Sequence, residues 1–270
     1  MKSIATLQKK ASPAVKGAWV SLGIPFDVSP IDEKVEGVID IEALIMTTLL
    51  LMEDARVVTD VPAWLSRFSS LINHQKLKTM FRRMPRRHRS VILENLNRSP
   101  FSGAPKSIRD IFRLEVGSEG VSKTVQMRVH KLNTIENVAQ ASIMIRNRLQ
   151  YGTGFRADLI ALTHIKGFGM RGSQLAKVLC TNDSTVSRIL SDLRACRFLD
   201  QDNERIGPFE PYPGMFISSQ SLWNLCEMMD AMKFSSQELK RGALENLNFR
   251  HDGLSRKVLK GLITVVYRQP

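Results

Sequence analysis

Between residues 40 and 98 apolar side chains recur every three to four positions, the period that turns one side of an α-helix toward a core. Asp40, a good capping residue, opens the first run, whose apolar members are Ile41, Leu44, Ile45, Leu49 and Met52. A second helix is expected near Pro62, since proline is tolerated in a first turn; it carries Trp64, Leu65, Phe68, Leu71 and Ile72. Two more, over about 75–83 and 86–96, are separated by a turn at Met84-Pro85. The stretch 41–52 is the most apolar of the chain, yet it encloses Glu42 and stops at Glu53, well short of the roughly 20 residues of a bilayer span. It reads as a buried helix, and no membrane partner is expected. Residues 1–39, broken by Pro13, Pro25 and Pro30 and by Gly17, Gly23 and Gly37, read as an irregular N-terminal arm.

Downstream the pattern changes several times. Residues 99–122, rich in Ser, Gly and Pro, read as a connection with a short helix near 108–116, and 124–129 alternates as a short strand would. Thr134 opens a helix that runs into Tyr151, and Gly152-Thr153-Gly154 reads as a domain boundary. Helices are then expected over 155–165, over 174–179 with Ser173 as cap, and from Asp183 to about 195 with Val186, Ile189, Leu190 and Leu193 inward. Strands near 197–200 and 214–218 flank a tip at 202–208. An apolar helix over 221–232, with Leu222, Trp223, Leu225, Met228 and Met229, is expected to pack in the core, and a basic helical tail follows over 237–267. The fold class is therefore mainly α: an arm (1–39), a helical domain (40–150), a second domain (151–220) and C-terminal helices (221–270).

Charge divides the chain differently. Of a net +13 over 270 residues, the segment 74–98 carries eight basic groups against one acidic, while 151–200 contributes only +3 and 201–234 is negative. The basic segment is mostly arginine: Arg82, Arg83, Arg86, Arg87 and Arg89, with Lys76 and Lys78 nearby. A planar guanidinium matches a phosphate with two parallel hydrogen bonds. The alternatives are a solvated helix face or a surface for an acidic protein. Phe81 is the one aromatic residue in the segment, which favours duplex backbone contact over the base stacking of single-strand binders.

The most specific pattern lies in the run RGSQLAKVLCTNDSTVSRILSDLRACRFLDQ. With its Leu175-Ala176 pair, Asn182 at a tight turn, Thr185-Val186-Ser187-Arg188, Leu190, Leu193 and Phe198-Leu199, it resembles the helix-turn-helix of winged-helix transcription regulators. The likeness covers about a quarter of the chain and is one of superfamily. It implies a recognition helix carrying Ser184, Thr185, Ser187 and Arg188, backbone contacts from Arg171, Ser173 and Lys177, a wing bearing Arg205, and a homodimer on double-stranded DNA. Small hydroxyl residues at a helix start let it approach a groove closely, and an arginine one turn on can reach guanine. Asp183 is read as complementing the helix N-terminus, and the acidic wing tip argues against wing contact with DNA.

Other chemistry is not indicated. Histidines 74, 88, 130, 164 and 251 are scattered, and cysteines 180, 196 and 226 match no zinc spacing. Gly167-Phe168-Gly169-Met170-Arg171-Gly172 lacks the Lys-Ser/Thr of a phosphate loop. No metal, no cofactor and no catalytic constellation is expected. The expected function is sequence-specific duplex-DNA binding by a cytoplasmic, nucleoid-associated regulator. The alternatives are a plasmid or phage replication initiator, partition or defence protein, and an adaptor binding RNA or an acidic protein.

Overall fold

Helix α2 (Ile41–Leu51) is buried along its whole length, Glu42 included, and the N-terminal half of the chain is assembled around it. The computed structural model describes residues 2–26, 38–51, 55–97, 105–112, 132–165, 171–202 and 215–233, together with Leu244, Val258 and Leu259. In chain order the other elements are α1 (Lys2–Ser21), β1 (Val38–Ile39), α3 (Ala55–Arg67), a 3-10 turn (Ser69–Leu71), α4 (His74–Arg83), α5 (Arg86–Asn97) and α6 (Lys106–Phe112). Then come α7 (Ile135–Ala141), α8 (Ile143–Tyr151), α9 (Phe155–Leu162), α10 (Gly172–Val178), α11 (Asp183–Ala195), β2 (Met215–Ile217) and α12 (Ser219–Ala231). The protein is mainly α, as its apolar periodicity indicates. An element apolar on every side must be enclosed on every side, and α1, α4, α5 and α12 all pack on α2.

The N-terminal arm is corrected: residues 2–21 form a single helix with Pro13 inside it. Leu7, Ala11, Ala14, Val15, Ala18, Trp19 and Leu22 are buried at helical spacing, while Lys9 and Lys10 are exposed. Proline removes one hydrogen bond, and here the carbonyl that loses it belongs to solvent-facing Lys9, where water can replace the donor. Trp19 donates its indole N–H to Thr48 Oγ1 at 2.8 Å and meets Trp64 edge-on at 5.4 Å, so α1 is part of the core. Gly23 then turns with φ +89° and lies so close to Val138 that an added Cβ would come within 2.8 Å of it. Its carbonyl accepts the Asn133 N–H at 3.1 Å, which docks the end of α1 on the start of α7.

Three further expectations change. α3 begins at Ala55, not near Pro62, which sits mid-helix; Trp64, two residues later, is anchored to the Leu22 carbonyl at 2.8 Å. The helix expected from Thr134 to Tyr151 is two helices, because Ser142 is extended (φ −128°, ψ 112°) and its hydroxyl caps α8 by accepting the Ile145 N–H at 3.4 Å. Arg146 collects carbonyls freed at the end of α7, those of Ala139 and Gln140. The strand at 214–218 does not form a hairpin with 197–200 among the described residues. β2 pairs in parallel with β1, Val38 opposite Met215 and Ile39 opposite Ile217, and the Asp40 N–H donates to the Ile217 carbonyl at 2.9 Å. Leu199 retains only an isolated bridge.

α12 packs on α1, α2 and α10, the core position expected for it, with Leu222, Leu225, Met228 and Met229 buried. The expected strand at 124–129, the tip at 202–208 beyond Asp202, Arg205 included, and the tail beyond 233, apart from Leu244, Val258 and Leu259, lie outside the described residues. No helix among the described residues is long and apolar enough to cross a membrane.

Candidate nucleic-acid interface

The corner between α10 and α11 is built by backbone hydrogen bonds that leave little freedom. Arg171 precedes α10, and its N–H donates to the Gln174 side chain at 2.9 Å, so Ser173 lies inside the helix and does not cap it. At the other end Cys180 adopts φ +53°, its N–H reaching the Lys177 carbonyl (3.2 Å) while Thr181 N–H reaches that of Ala176 (3.0 Å). This is a Schellman ending, in which the left-handed residue is ordinarily glycine. Burial of Cys180 in the core holds a β-carbon there. Asn182 then caps α11, its Oδ1 accepting the Thr185 N–H at 2.8 Å and the Ser184 hydroxyl at 2.9 Å.

α11 divides cleanly. Val186, Ile189, Leu190 and Leu193 are buried, whereas Ser184, Ser187, Arg188 and Ser191 are exposed. Positions 184, 187, 188 and 191 follow the three- and four-residue spacing of one helix face, so they form one outward stripe; Thr185 is half-buried beside it. The Ser184 proton is committed to Asn182, which leaves its oxygen as an acceptor. Exposed Arg156 on α9 pairs with Asp192 and neutralises the acid that lies one turn beyond Arg188. The helix closes with a second Schellman ending, Phe198 N–H to the Leu193 carbonyl (2.9 Å), around Arg197 at φ +55°. Among the described residues Cys180 and Arg197 alone combine a side chain with positive φ, and they end these two consecutive helices.

The sequence-selected arginines separate into classes. Arg82, Arg83 and Arg86 are exposed around the α4–α5 turn and have no acidic partner among the described residues, and Lys78 is exposed beside them. Arg87 is paired with Asp230 on α12, and Arg89 is half-buried. Arg171, Ser173 and Lys177 are exposed at α10. Lys76 is buried and belongs to something else.

That something is a cluster of five charges with no comparable expectation in the sequence. Arg148 on α8 makes paired hydrogen bonds to Glu42 (2.7 and 2.7 Å) and to Asp158 (2.7 and 2.9 Å), and a further one to the Leu71 carbonyl. Lys76 on α4 reaches Asp40 at 2.8 Å, Asp158 at 3.3 Å and Glu42 at 3.7 Å. Asp40 caps α2 through the Ala43 N–H, and Glu42 accepts the Asn73 N–H. Burial opposes the charge on Lys76 and Arg148, yet the surrounding carboxylates raise both above their ordinary range. Burial also pushes at Asp158, but Arg148 and Lys76 outweigh it and hold that carboxyl low. Asp40, in a cluster of three carboxylates and two cations, is pushed up to about 6 chiefly by burial. Glu42 within the most apolar run was the available signal, since a buried carboxylate requires a partner.

The cluster also bridges the expected domain boundary. Arg148 and Asp158 stand on either side of Gly152-Thr153-Gly154, and Thr153 donates to the Ser70 carbonyl at 2.6 Å. The turn is thus pinned at both flanks and in its middle.

Of the three free cysteines two, Cys180 and Cys226, are buried, and Cys196 is exposed. Burial raises the Cys180 thiol and pushes that of Cys226 up to about 12. Burial lowers His74 and His88, with Glu42 and Asp230 respectively opposing. No group of three metal-ligating side chains occurs among the described residues. A shallow cleft of about 440 Å³ lies between Arg67, Phe68, Ile135 and Leu149, away from α11. No protein-family model matches this chain, and neither a curated protein nor a solved structure is significantly similar to it.

Proposed function

We propose that this chain binds duplex DNA with sequence preference, as a regulator built on a helix-turn-helix in which α10 and α11 are the two helices of the motif. The observation that carries this reading is the stripe of Ser184, Ser187, Arg188 and Ser191 on a helix whose opposite side is fully buried. Short hydroxyl side chains keep the helix surface low enough to enter a major groove, and Arg188 is the one long donor on it, suited to the O6 and N7 atoms of guanine. Arg171 and Lys177, exposed on α10, supply contacts to flanking phosphates.

Two features support the reading from outside the stripe. Left-handed conformations at residues with a β-carbon cost energy and gather where geometry matters, and here they close both helices of the motif. The salt link of Arg156 to Asp192 removes a carboxylate that would otherwise repel phosphate beside Arg188.

The test is recovery of genomic fragments by the purified full chain, followed by competition between the preferred duplex and a scrambled one. Replacing Arg188 and Ser184 together with alanine is expected to abolish the preference while leaving the helical circular dichroism unchanged. Retention of the preference by that variant removes α11 as the reading element.

A further inference from the structure

The arginines at the α4–α5 turn and the α10–α11 corner stand in different parts of the sequence, yet three links, two of them within the buried charge cluster, fix their relative position. The first is internal: Lys76 on α4 is ion-paired with Asp158 on α9, the helix that leads into the motif. Arg83 lies seven residues beyond Lys76, two turns along the same side of α4, where the helix emerges into solvent. The second is the Arg148 bridge between Glu42 and Asp158, which ties α8 and α9 to α2.

The third link is α12, which acts as a strut. At its start the Ser219 hydroxyl donates to the carbonyls of Lys177 (3.3 Å) and Val178 (2.9 Å), at the end of α10. At its other end Asp230 accepts Arg87 and lies 3.5 Å from His88 Nε2, at the start of α5. Eleven residues at about 1.5 Å each place these anchor points roughly 17 Å apart. On a duplex rising about 3.4 Å per base step, that is within half a helical turn.

We propose that Arg82, Arg83 and Arg86 form a second contact point for the duplex backbone, held by α12 and the buried charges at a fixed spacing from α11, so that one molecule clamps one DNA segment at two places. The partner is duplex DNA because the free groups are guanidinium ions without acidic partners among the described residues, the chemistry that grips phosphate in pairs of hydrogen bonds. Arg87 has a different part: Asp230 neutralises it, so it positions the corner and does not add to the phosphate grip.

The inference rests on the DNA-binding reading, and its test separates the two. Binding of the full chain to a random-sequence duplex of roughly 30 base pairs, about three turns, is measured over a series of salt concentrations. Replacing Arg82, Arg83 and Arg86 with glutamine is expected to lower the slope of log affinity against log salt by about 2.7, since each lost phosphate contact removes about 0.9. The corresponding triple lysine variant is expected to keep the slope. If the wild-type chain binds the duplex and the glutamine variant keeps its slope, the second contact point is wrong and α11 stands alone. If the wild-type chain binds no duplex at moderate salt, both readings fall.

Discussion

Lys76 and Arg83 are both cations of α4, two turns apart, and they meet opposite fates. Lys76 is enclosed with three carboxylates, whereas Arg83 is exposed without an acid beside it among the described residues. Their contribution to net charge is identical, but their physics is not. A buried cation and its carboxylates interact strongly only because both have lost water, and the cluster fixes which helices meet. An exposed guanidinium contributes little to folding and keeps its capacity for a partner. The contrast shows that a basic segment is not a unit of function; burial sorts it, one residue at a time.

The largest effect should come from breaking the buried side of this comparison. Arg148→Ala leaves Glu42 and Asp158 facing each other without that cation, and is expected to destabilise by about 3–5 kcal/mol. Arg83→Ala, at the exposed side, should change stability by no more than about 0.5 kcal/mol. Urea denaturation of both variants checks this, and equal losses would end the distinction.

Asp40 sharpens the comparison through pH. Its folded carboxyl is pushed up to about 6 by burial, with Lys76 opposing and Glu42 and Asp158 adding, against an ordinary value of 3.8. Because the folded state holds this proton more tightly than the unfolded chain does, Asp40 contributes stability that is complete below about pH 4 and is lost as pH rises through about 6. A rise of that size corresponds to about 3 kcal/mol. Asp158, held low, acts in the other sense: its contribution is present at neutral pH and is lost only as pH falls below 3.8. Asp40→Asn keeps a capping side chain and lacks the charge. The variant should therefore gain on wild type by about 3 kcal/mol between roughly pH 4 and pH 7. A stability difference that does not change with pH shows that Asp40 ionises as an exposed carboxyl does.

The sequence made some of this legible. Periodicity located α4, α5 and α11 to within a residue or two, because each has a single apolar side and a clear start. The same periodicity is present in α1, at Leu7, Ala11, Ala14, Val15, Ala18 and Leu22, but Pro13 and Gly17 outweighed it; a proline on the solvent side of a helix with a strong apolar stripe is tolerated. The split at Ser142 follows from a local choice between helix interior and helix cap that the hydroxyl can serve either way. The pairing of β2 with β1 brings together residues more than 170 positions apart, a distance over which local pattern carries no information. The outward stripe of α11 was readable because amphipathic spacing and residue type agree there. The charge cluster was not, since its five members are scattered along the chain from Asp40 to Asp158 and only Glu42 stands out against its neighbours.

Arg188 tests the exposed class where partner recognition, not folding, is at stake. Arg188→Ala should leave the urea midpoint unchanged and reduce discrimination between the preferred duplex and one altered at the contacted guanine by about 1–3 kcal/mol, roughly 5- to 150-fold. Competition binding reads the ratio directly. Equal weakening for both duplexes would assign Arg188 to phosphate and move base reading elsewhere on α11.

The smallest effect belongs to the residue that sits between the two classes. Arg87 is 60% exposed, as a DNA-facing side chain would be, yet it is paired with Asp230, as a structural one would be. Solvent screens that pair, so Arg87→Gln should cost less than about 1 kcal/mol of stability, and raising the salt should erase even that. Its neighbour His88 is buried against the same carboxylate, with Arg87 and Lys233 also facing it, and burial holds its imidazole neutral more readily than usual. Removing Arg87 takes away one of the two nearby cations that disfavour protonation of His88. The imidazole should therefore titrate at higher pH in Arg87→Gln than in wild type, a shift that proton NMR of the ring detects. An unmoved His88 titration would mean that Arg87 spends its time in solvent and should be counted with Arg82, Arg83 and Arg86.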